Sequence, residues 1–392
     1  MGTEVAIIGV GMHPWGRWGK SFIELGICAA HAALQDAGLA WRDIQLLTSG
    51  GATRCGTMGQ LAASAFAESL GWQGADLSTS TGGCVAGAQA LSVARSRIQE
   101  GECDVALVLC ADVVPRGVLA LDSQNYPEDP NHVRYSLGLT NPVYLGLDAR
   151  RRAAVHGTTD DDLALVKVKN ARHGLHNPNA RYRYAVSLDQ VKRSPLVSDP
   201  LRLFHICATS DGAAAIVLSS MNFAKRRSRR FVLLAGISTA SSTYPNPHIE
   251  MPYLASDSAL SPAGLSFKDA VVENIYEQTA IGPQDLSVAE VYDISSVSEL
   301  DWYERLGLCD VGCAERFLRD GDSALGGRLP VNPSGGLASF GEAVAAQALA
   351  QVCELTWQLR EEAGARQVSN ASVGIAVSQA TFGLGAAVLL KR

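Results

Sequence analysis

An α/β fold written twice is what the chain predicts, with two mixed sheets, outer covering helices and two buried helices between the sheets. Three observations carry that prediction. Short β-branched runs alternate with stretches of helical apolar spacing. The same order of elements restarts after Arg230. The segment Ala88-Gln89-Ala90-Leu91 recurs as Ala346-Gln347-Ala348-Leu349, at an offset of 258 residues.

The elements follow in order. Val5–Gly9 is a β-branched run and reads as a strand. Ser21–Gly38 has helical spacing and stops at glycine, a common helix terminator. Asp43-Ile44 then leads into a strand at Gln45–Thr48. In the second half, Phe231–Gly236 is the matching strand and Ser266-Phe267-Lys268-Asp269 opens the matching helix. Asp285-Leu286 precedes the strand Val288–Tyr292. The two repeated four-residue segments sit in small-residue helices, apolar nearly all round and therefore buried. Each follows a glycine-rich turn, Thr81-Gly82-Gly83-Cys84 in one half and Gly335-Gly336 through Gly341-Glu342 in the other. Each half closes on two strands: Asp104–Ala111 with Gly212–Ser219, and Val373–Ser378 with Gly385–Leu390. The halves divide at 1–230 and 231–392. The first carries an insertion at about 112–211 that has no counterpart in the second, a polar excursion of the kind that covers a site or carries a ligand.

Composition narrows the function. The chain has 392 residues, 47% apolar and 18% charged, which suits a folded protein with a large core. Its net charge of −6 argues against general nucleic-acid binding. The run Lys225-Arg226-Arg227-Ser228-Arg229-Arg230 reads as a solvated linker before a strand rather than a phosphate site. No apolar stretch is long enough for a membrane span. Met1–Gly9 has no basic leader and enters a strand directly, so no signal peptide is expected. Nine scattered cysteines suit a reducing compartment, and the expected location is cytoplasmic. Cys309 and Cys313 have no second pair to complete a zinc set, and His173 with His176 has no further ligands nearby, so no metal is expected. Gly9-Val10-Gly11 follows a strand as a dinucleotide fingerprint does, but Pro14 stands at the third glycine position.

The repeat also points at chemistry. Under the 258-residue offset Cys84 superposes on Glu342, each at the expected start of a buried helix. Pseudo-symmetry brings those starts toward each other. A helix N-terminus lowers a thiol's pKa, so Cys84 is a candidate nucleophile, against the alternative of a small packing residue. Glu342 is a candidate acid or base, against the alternative of a helix-dipole partner. Tyr292 ends a strand, where open α/β sheets place ligands, although a core tyrosine is the simpler reading. The turns Asn332-Pro333-Ser334-Gly335-Gly336 and Gly383-Leu384-Gly385 offer backbone N–H groups to an oxyanion, or serve turn geometry alone.

These segments resemble the thiolase superfamily, and within it the sterol-carrier-protein-type thiolases and the bacterial lipid-transfer-protein-like enzymes. The resemblance spans essentially the whole chain. It rests on Cys84-Val85-Ala86-Gly87-Ala88-Gln89-Ala90-Leu91, Asn177-Pro178-Asn179-Ala180, Ser194-Pro195-Leu196-Val197 and Ser210-Asp211-Gly212-Ala213-Ala214-Ala215. In the second half it rests on Glu290-Val291-Tyr292-Asp293, Glu299-Leu300, Leu306-Gly307-Leu308-Cys309 and Asn332-Pro333-Ser334-Gly335-Gly336. It implies the five-layer αβαβα thiolase-like fold. It also implies Cys84 as nucleophile, and backbone donors at Gly383 and Gly385. The family's Gly-His-Pro segment reads Gly341-Glu342-Ala343 here, and tyrosine stands at 292 where the family has Asn or His. The family's second, C-terminal acid/base residue should fall near Ser378-Gln379-Ala380, where there is neither thiol nor imidazole. Loss of a general base costs about 10²–10⁴ in rate.

Three readings follow from the resemblance. The first is carbon–carbon bond chemistry at an acyl-CoA thioester through an acyl group on Cys84, with Glu342 as base. The second is a retro-aldol lyase acting on a β-hydroxyacyl-CoA through Tyr292 or Glu342. Steroid side-chain aldolases share the tyrosine and the Gly-Glu-Ala segment, but their second tyrosine is Val344 here. The third is a non-catalytic acyl-CoA or lipid-binding subunit. The resemblance also implies coenzyme A thioester as substrate with no bound cofactor, a homodimer, and a small OB-fold zinc-ribbon partner. The acyl chain is left open.

Overall fold

The computed structural model describes residues 4–114, 141–227, 230–243, 264–380 and 383–392. Within the expected insertion, residues 115–140 lie outside the described residues, as do 228 and 229 of the basic run.

The first half begins with β1 (Val5–Gly16), α1 (Phe22–Ala37), β2 (Leu46–Gly50), α2 (Gly56–Gln60), α3 (Ala62–Leu70) and β3 (Asp76–Ser80). It continues with α4 (Ala86–Gln99) and β4 (Val105–Asp112). The insertion contributes α5 (Asn141–His156), α6 (Asp160–Gly174), α7 (Leu188–Lys192) and the small strands β5 (Leu196–Ser198) and β6 (Leu201–Arg202). β7 (Asp211–Ser220) and α8 (Met221–Arg227) complete the half. The second half has β8 (Val232–Ser241), α9 (Phe267–Thr279), β9 (Val288–Glu290), α10 (Ser296–Arg305), α11 (Ala314–Arg319) and α12 (Gly336–Phe340). It ends with α13 (Gln347–Leu359), β10 (Val373–Ala380) and β11 (Leu384–Lys391).

Local chemistry sets the boundaries read from sequence. Ser21 caps α1 through Glu24 in a reciprocal capping box, and Gly38 closes it in the left-handed region. Ser266 caps α9 on one side only, its Oγ accepting from Asp269 N–H. Gly9 and Gly11 serve packing rather than a dinucleotide. A Cβ on either would lie 2.4 Å from the backbone of Ala33 on α1.

Duplication is written into the strand order. The nine main strands run β3-β2-β4-β7-β1-β8-β11-β10-β9. Outward from the β1–β8 seam, each half meets its first strand, then its last, then the one before that, then its second. The bridge Ala289–Val331 stands beside β9 where β3 stands beside β2. The seam itself is narrow: β1 and β8 pair only at Ala6–Leu233 and Ile7–Val232. The two expected sheets are thus joined edge to edge at one point.

The apolar core of the described residues falls in three large clusters across the layered architecture, with a fourth, smaller one in the insertion around Ala164, Val168 and Val191. One lies between the first sheet and α1 and α3, around Leu25, Ala29, Phe66 and Val217. The central one holds α4 and α13 between the two sheets, with Leu91, Ala94, Leu349 and Val352. The third lies under α9 and α10, with Val271, Leu300 and Ile375. The described part of the insertion packs on the outside of the second half, where buried Arg152 donates to Glu315 at 2.6 Å. α6 runs inward from it, and its buried Asn170 and Lys169 reach the end of β9.

Candidate active site

Three independent backbone devices bring the site together. Cys84 sits on a one-turn 3₁₀ segment, Gly83–Val85, directly before α4. Gly83 has φ 58°, and a Cβ there would sit 3.5 Å from Ala380 Cβ at the end of β10. Glu342 follows Gly341, whose φ is 74° and where a Cβ would meet Ser210 Oγ at 2.4 Å. The Glu342 N–H donates to Ala208 O at 2.6 Å, and its carbonyl accepts from Ser210 N–H at 2.8 Å. Tyr292 lies just beyond β9. Its neighbours are pinned: Val291 N–H donates to Asn332 Oδ1 at 2.7 Å, and the Asp293 carboxylate accepts from Leu337 N–H at 2.7 Å and Ala338 N–H at 3.0 Å.

The three side chains meet at one atom. The Cys84 thiol lies 3.2 Å from Glu342 Oε1, and the Tyr292 hydroxyl donates to the same oxygen. All three are buried. The repeat leads to the expectation that the chain at Cys84 and at Glu342 approaches as two helix starts; it says nothing of Tyr292 reaching Glu342. Glu342 is not at a helix start. The second 3₁₀ turn begins at Val344 and α13 only at Gln347, so Glu342 lies in an extended segment bridged to Thr209. The helix-dipole reading of Glu342 is therefore replaced by strand-like pairing.

The expected lowering of the Cys84 thiol is also corrected. Burial pushes the thiol well above its ordinary range, and the adjacent Glu342 charge pushes it further. Desolvation beside a carboxylate outweighs the helix terminus. Tyr292 is raised for the same reasons, so its hydroxyl is a hydrogen-bond donor and not a resident phenolate. A thiol raised in this way reacts as a nucleophile only with a base in reach of its proton, and the Glu342 carboxylate is in contact with it.

Several groups at the site had gone unread in the sequence. Arg54 Nη2 lies 4.0 Å from Glu342 Oε2, and its Nη1 lies 3.9 Å from Asp112 Oδ2. Asp112, at the buried end of β4, accepts from Val344 N–H at 2.9 Å, and burial raises its carboxyl to about 7. A charged residue closing an apolar strand was the available signal for Asp112. Cys207 is half-buried just before the Ala208–Ser210 segment, and burial with the nearby Glu342 charge raises its thiol. Burial lowers the Lys167 ammonium to about 8.

The glycine turn supports the site without touching the cysteine. Asn332, at φ 53°, donates through Nδ2 to Glu299 at 2.9 Å. A Cβ on Gly335 would meet Gly174 Cα at 2.6 Å, and one on Gly336 the Asp293 carboxylate at 2.5 Å. Behind it, Lys169 pairs with Glu299 at 2.7 Å, and Asn170 Nδ2 donates to Asp293 at 2.9 Å. His173 belongs to the same scaffold: its ring lies 2.9 Å from Asn332 O and accepts from Leu325 N–H at 3.1 Å. Gly383, at φ 71°, precedes β11 in a turn whose residues 381 and 382 lie outside the described residues. Gly385 is in register with Ala240 on one side and Gln379 on the other, inside the sheet. Among the described residues no helix is long and apolar enough to cross a membrane.

Comparison with known proteins agrees with this architecture. The description "Thiolase, N-terminal domain" matches residues 5–222, and "Thiolase C-terminal domain-like" matches residues 254–391. The chain belongs to the thiolase family. Sterol carrier protein 2 of Bos taurus is 32% identical over 401 residues, covering 99% of this chain and 72% of that protein. An acetyl-CoA acetyltransferase of Methanothermobacter thermautotrophicus is 30% identical over 379 residues, covering 95% of each. The solved Ltp2-ChsH2(DUF35) aldolase superposes with a TM-score of 0.83 at 24% identity, over 99% of this chain and 97% of that one. The last likeness speaks for the fold.

Proposed function

We propose that this protein is a thiolase-like enzyme that makes or breaks a carbon–carbon bond at an acyl-CoA thioester by acyl transfer through Cys84. The observation that carries the reading is the single carboxylate oxygen of Glu342 in contact with both the Cys84 thiol and the Tyr292 hydroxyl. In the cleavage direction, Glu342 takes the thiol proton as Sγ attacks the 3-keto carbon. The carbon–carbon bond then breaks, its electron pair goes to the departing α-carbon, and Glu342 returns the proton there. Coenzyme A releases the acyl group from Cys84 as a new thioester. One carboxylate thereby does the work of the family's two acid/base residues. The raised thiol fits this scheme, because the thiol proton must be present at the start to be returned later. The backbone N–H groups of Cys84 and Gly383 are the proposed donors to the thioester or keto oxygen. No bound cofactor takes part.

A second reading rests on the Tyr292–Glu342 contact. In a retro-aldol cleavage of a β-hydroxyacyl-CoA, Tyr292 or Glu342 takes the hydroxyl proton, the carbon–carbon bond breaks with its electron pair passing to the α-carbon of the thioester, and that proton is returned to the α-carbon, with Cys84 unacylated. The two readings separate by intact mass after incubation with a panel of acyl-CoA and 3-ketoacyl-CoA thioesters. An acyl adduct on the wild type, absent from Cys84→Ala, supports acyl transfer. Turnover of a β-hydroxyacyl-CoA that survives Cys84→Ala supports the lyase. Thioester binding with neither outcome supports the third reading, a binding subunit.

Among the described residues β3 is the outermost strand of its side of the sheet, which supports a homodimer formed by continuing the sheet. A small OB-fold zinc-ribbon partner is proposed from the resemblance and from the solved complex of an aldolase with a DUF35 protein. The nine cysteines are free of disulfides, which supports a reducing, cytoplasmic setting.

A further inference from the structure

Arg54 stands on the short turn Thr53–Cys55 after β2, with its guanidinium between two buried carboxyl groups. It is 4.0 Å from Glu342 Oε2 and 3.9 Å from Asp112 Oδ2, beyond direct hydrogen-bond reach of either. Its Nη1 is buried and has no hydrogen-bond partner. Glu342 divides its two oxygens: Oε1 serves Cys84 and Tyr292, while Oε2 faces Arg54. Asp112 is tied to the same stretch of chain, through Val344 N–H, two residues beyond Glu342. The two carboxyl groups are therefore held at fixed positions on either side of one cation.

We propose that Arg54 is a positioning residue of the site, drawing Glu342 Oε2 toward its guanidinium so that Oε1 stays turned to Cys84 and Tyr292 and offsetting the Glu342 charge beside the thiol, and that Asp112 competes for the same guanidinium and so tunes how strongly Arg54 acts. This rests on the reading of Cys84 and Glu342 as the reacting pair. A cation about 4 Å from a carboxylate offsets part of its charge as felt by a neighbouring thiol, less where water screens it. A second carboxylate sharing that cation divides the effect. Neutral Asp112 leaves Arg54 wholly to Glu342, and ionised Asp112 withdraws part of it. The other charged or titratable groups facing the cluster are few. Cys84 and Tyr292 lie on the Oε1 side, and Cys55 Sγ lies 3.9 Å from Asp112 Oδ1. Asp211 lies beyond Cys55 and is paired with Arg17 at 3.6 Å. Cys207, Lys167 and Asp293 complete the far side.

The test is the pH dependence of Cys84 alkylation by iodoacetamide, read by peptide mass on the full chain. It uses no thioester, so it stands even if acyl transfer fails. Arg54→Gln should raise the midpoint for Cys84 by about one pH unit, a tenfold loss of labelling on the rising limb. Asp112→Asn should move the midpoint down, and Arg54→Lys should restore most of the wild-type position. Equal midpoints for Arg54→Gln and wild type, with both folded by circular dichroism, overturn the proposal. So does an upward shift for Asp112→Asn. If Arg54→Gln does not fold, the Asp112→Asn and Arg54→Lys arms decide.

Discussion

Glu342→Gln separates two consequences of the same charge. The substitution keeps the shape of the side chain and removes the negative charge 3.2 Å from the Cys84 thiol. At that separation two unit charges interact by about 5 kcal/mol at an effective dielectric near 20. The neighbouring Arg54 and residual solvent access reduce this to roughly 1–3 kcal/mol, which is one to two pH units on the thiol. The sign is definite. Removing a negative charge beside the thiol favours thiolate, so the midpoint for Cys84 alkylation should fall. Turnover should move the opposite way, dropping by roughly 10²–10⁴, because the proposed base is gone. A more reactive cysteine in a less active enzyme is the signature. The assay pairs iodoacetamide labelling across pH with thioester turnover on the same preparations. A labelling midpoint that stays in place or rises would refute the electrostatic argument. Turnover within threefold of wild type would refute Glu342 as the base.

Two further predictions concern the scaffold. Gly336→Ala should lower the melting temperature and the extent of Cys84 acylation together, because the new Cβ would sit 2.5 Å from the Asp293 carboxylate at a backbone φ of 58°. Differential scanning fluorimetry with intact-mass acylation checks it, and a variant with normal melting and acylation contradicts it. Burial holds His173 down to about 3, so it folds neutral. Its contribution to stability is fully present above its unfolded pKa of about 6.5 and is lost as pH falls from there toward 3. His173→Gln should therefore flatten the fall in melting temperature between pH 6.5 and 4.5, and an unchanged slope would count against it.

The element pattern was legible because its causes are local. Ser21 and Ser266 cap helices, Gly38 ends one, and alternating or continuous apolar runs mark strands, all over spans of a few residues. The repeat was legible because duplicated sequence keeps duplicated packing, and Ala88–Leu91 and Ala346–Leu349 both lie in or at the start of the buried central helices. β3 went unread because Asp76–Ser80 is polar and only half-buried, with no apolar alternation to mark an edge strand. Arg54 went unread because nothing near it in sequence reveals the carboxylate of residue 342, and Asp112, although marked as a charge closing an apolar strand, could not be tied to that carboxylate from local sequence.

By itself the sequence determined that this is a duplicated α/β chain, and that Cys84, Tyr292 and Glu342 are the residues to examine. Repeats, caps and residue types are properties of short stretches, and a family's motifs travel with them. Tertiary structure alone decided that one oxygen of Glu342 serves both Cys84 and Tyr292. It decided that the thiol is raised rather than lowered, because desolvation and a carboxylate in contact outweigh a helix terminus. It also placed Arg54 between Asp112 and Glu342. Distance and dielectric set all of these, and both come into being only when strands far apart in the chain close on one buried site.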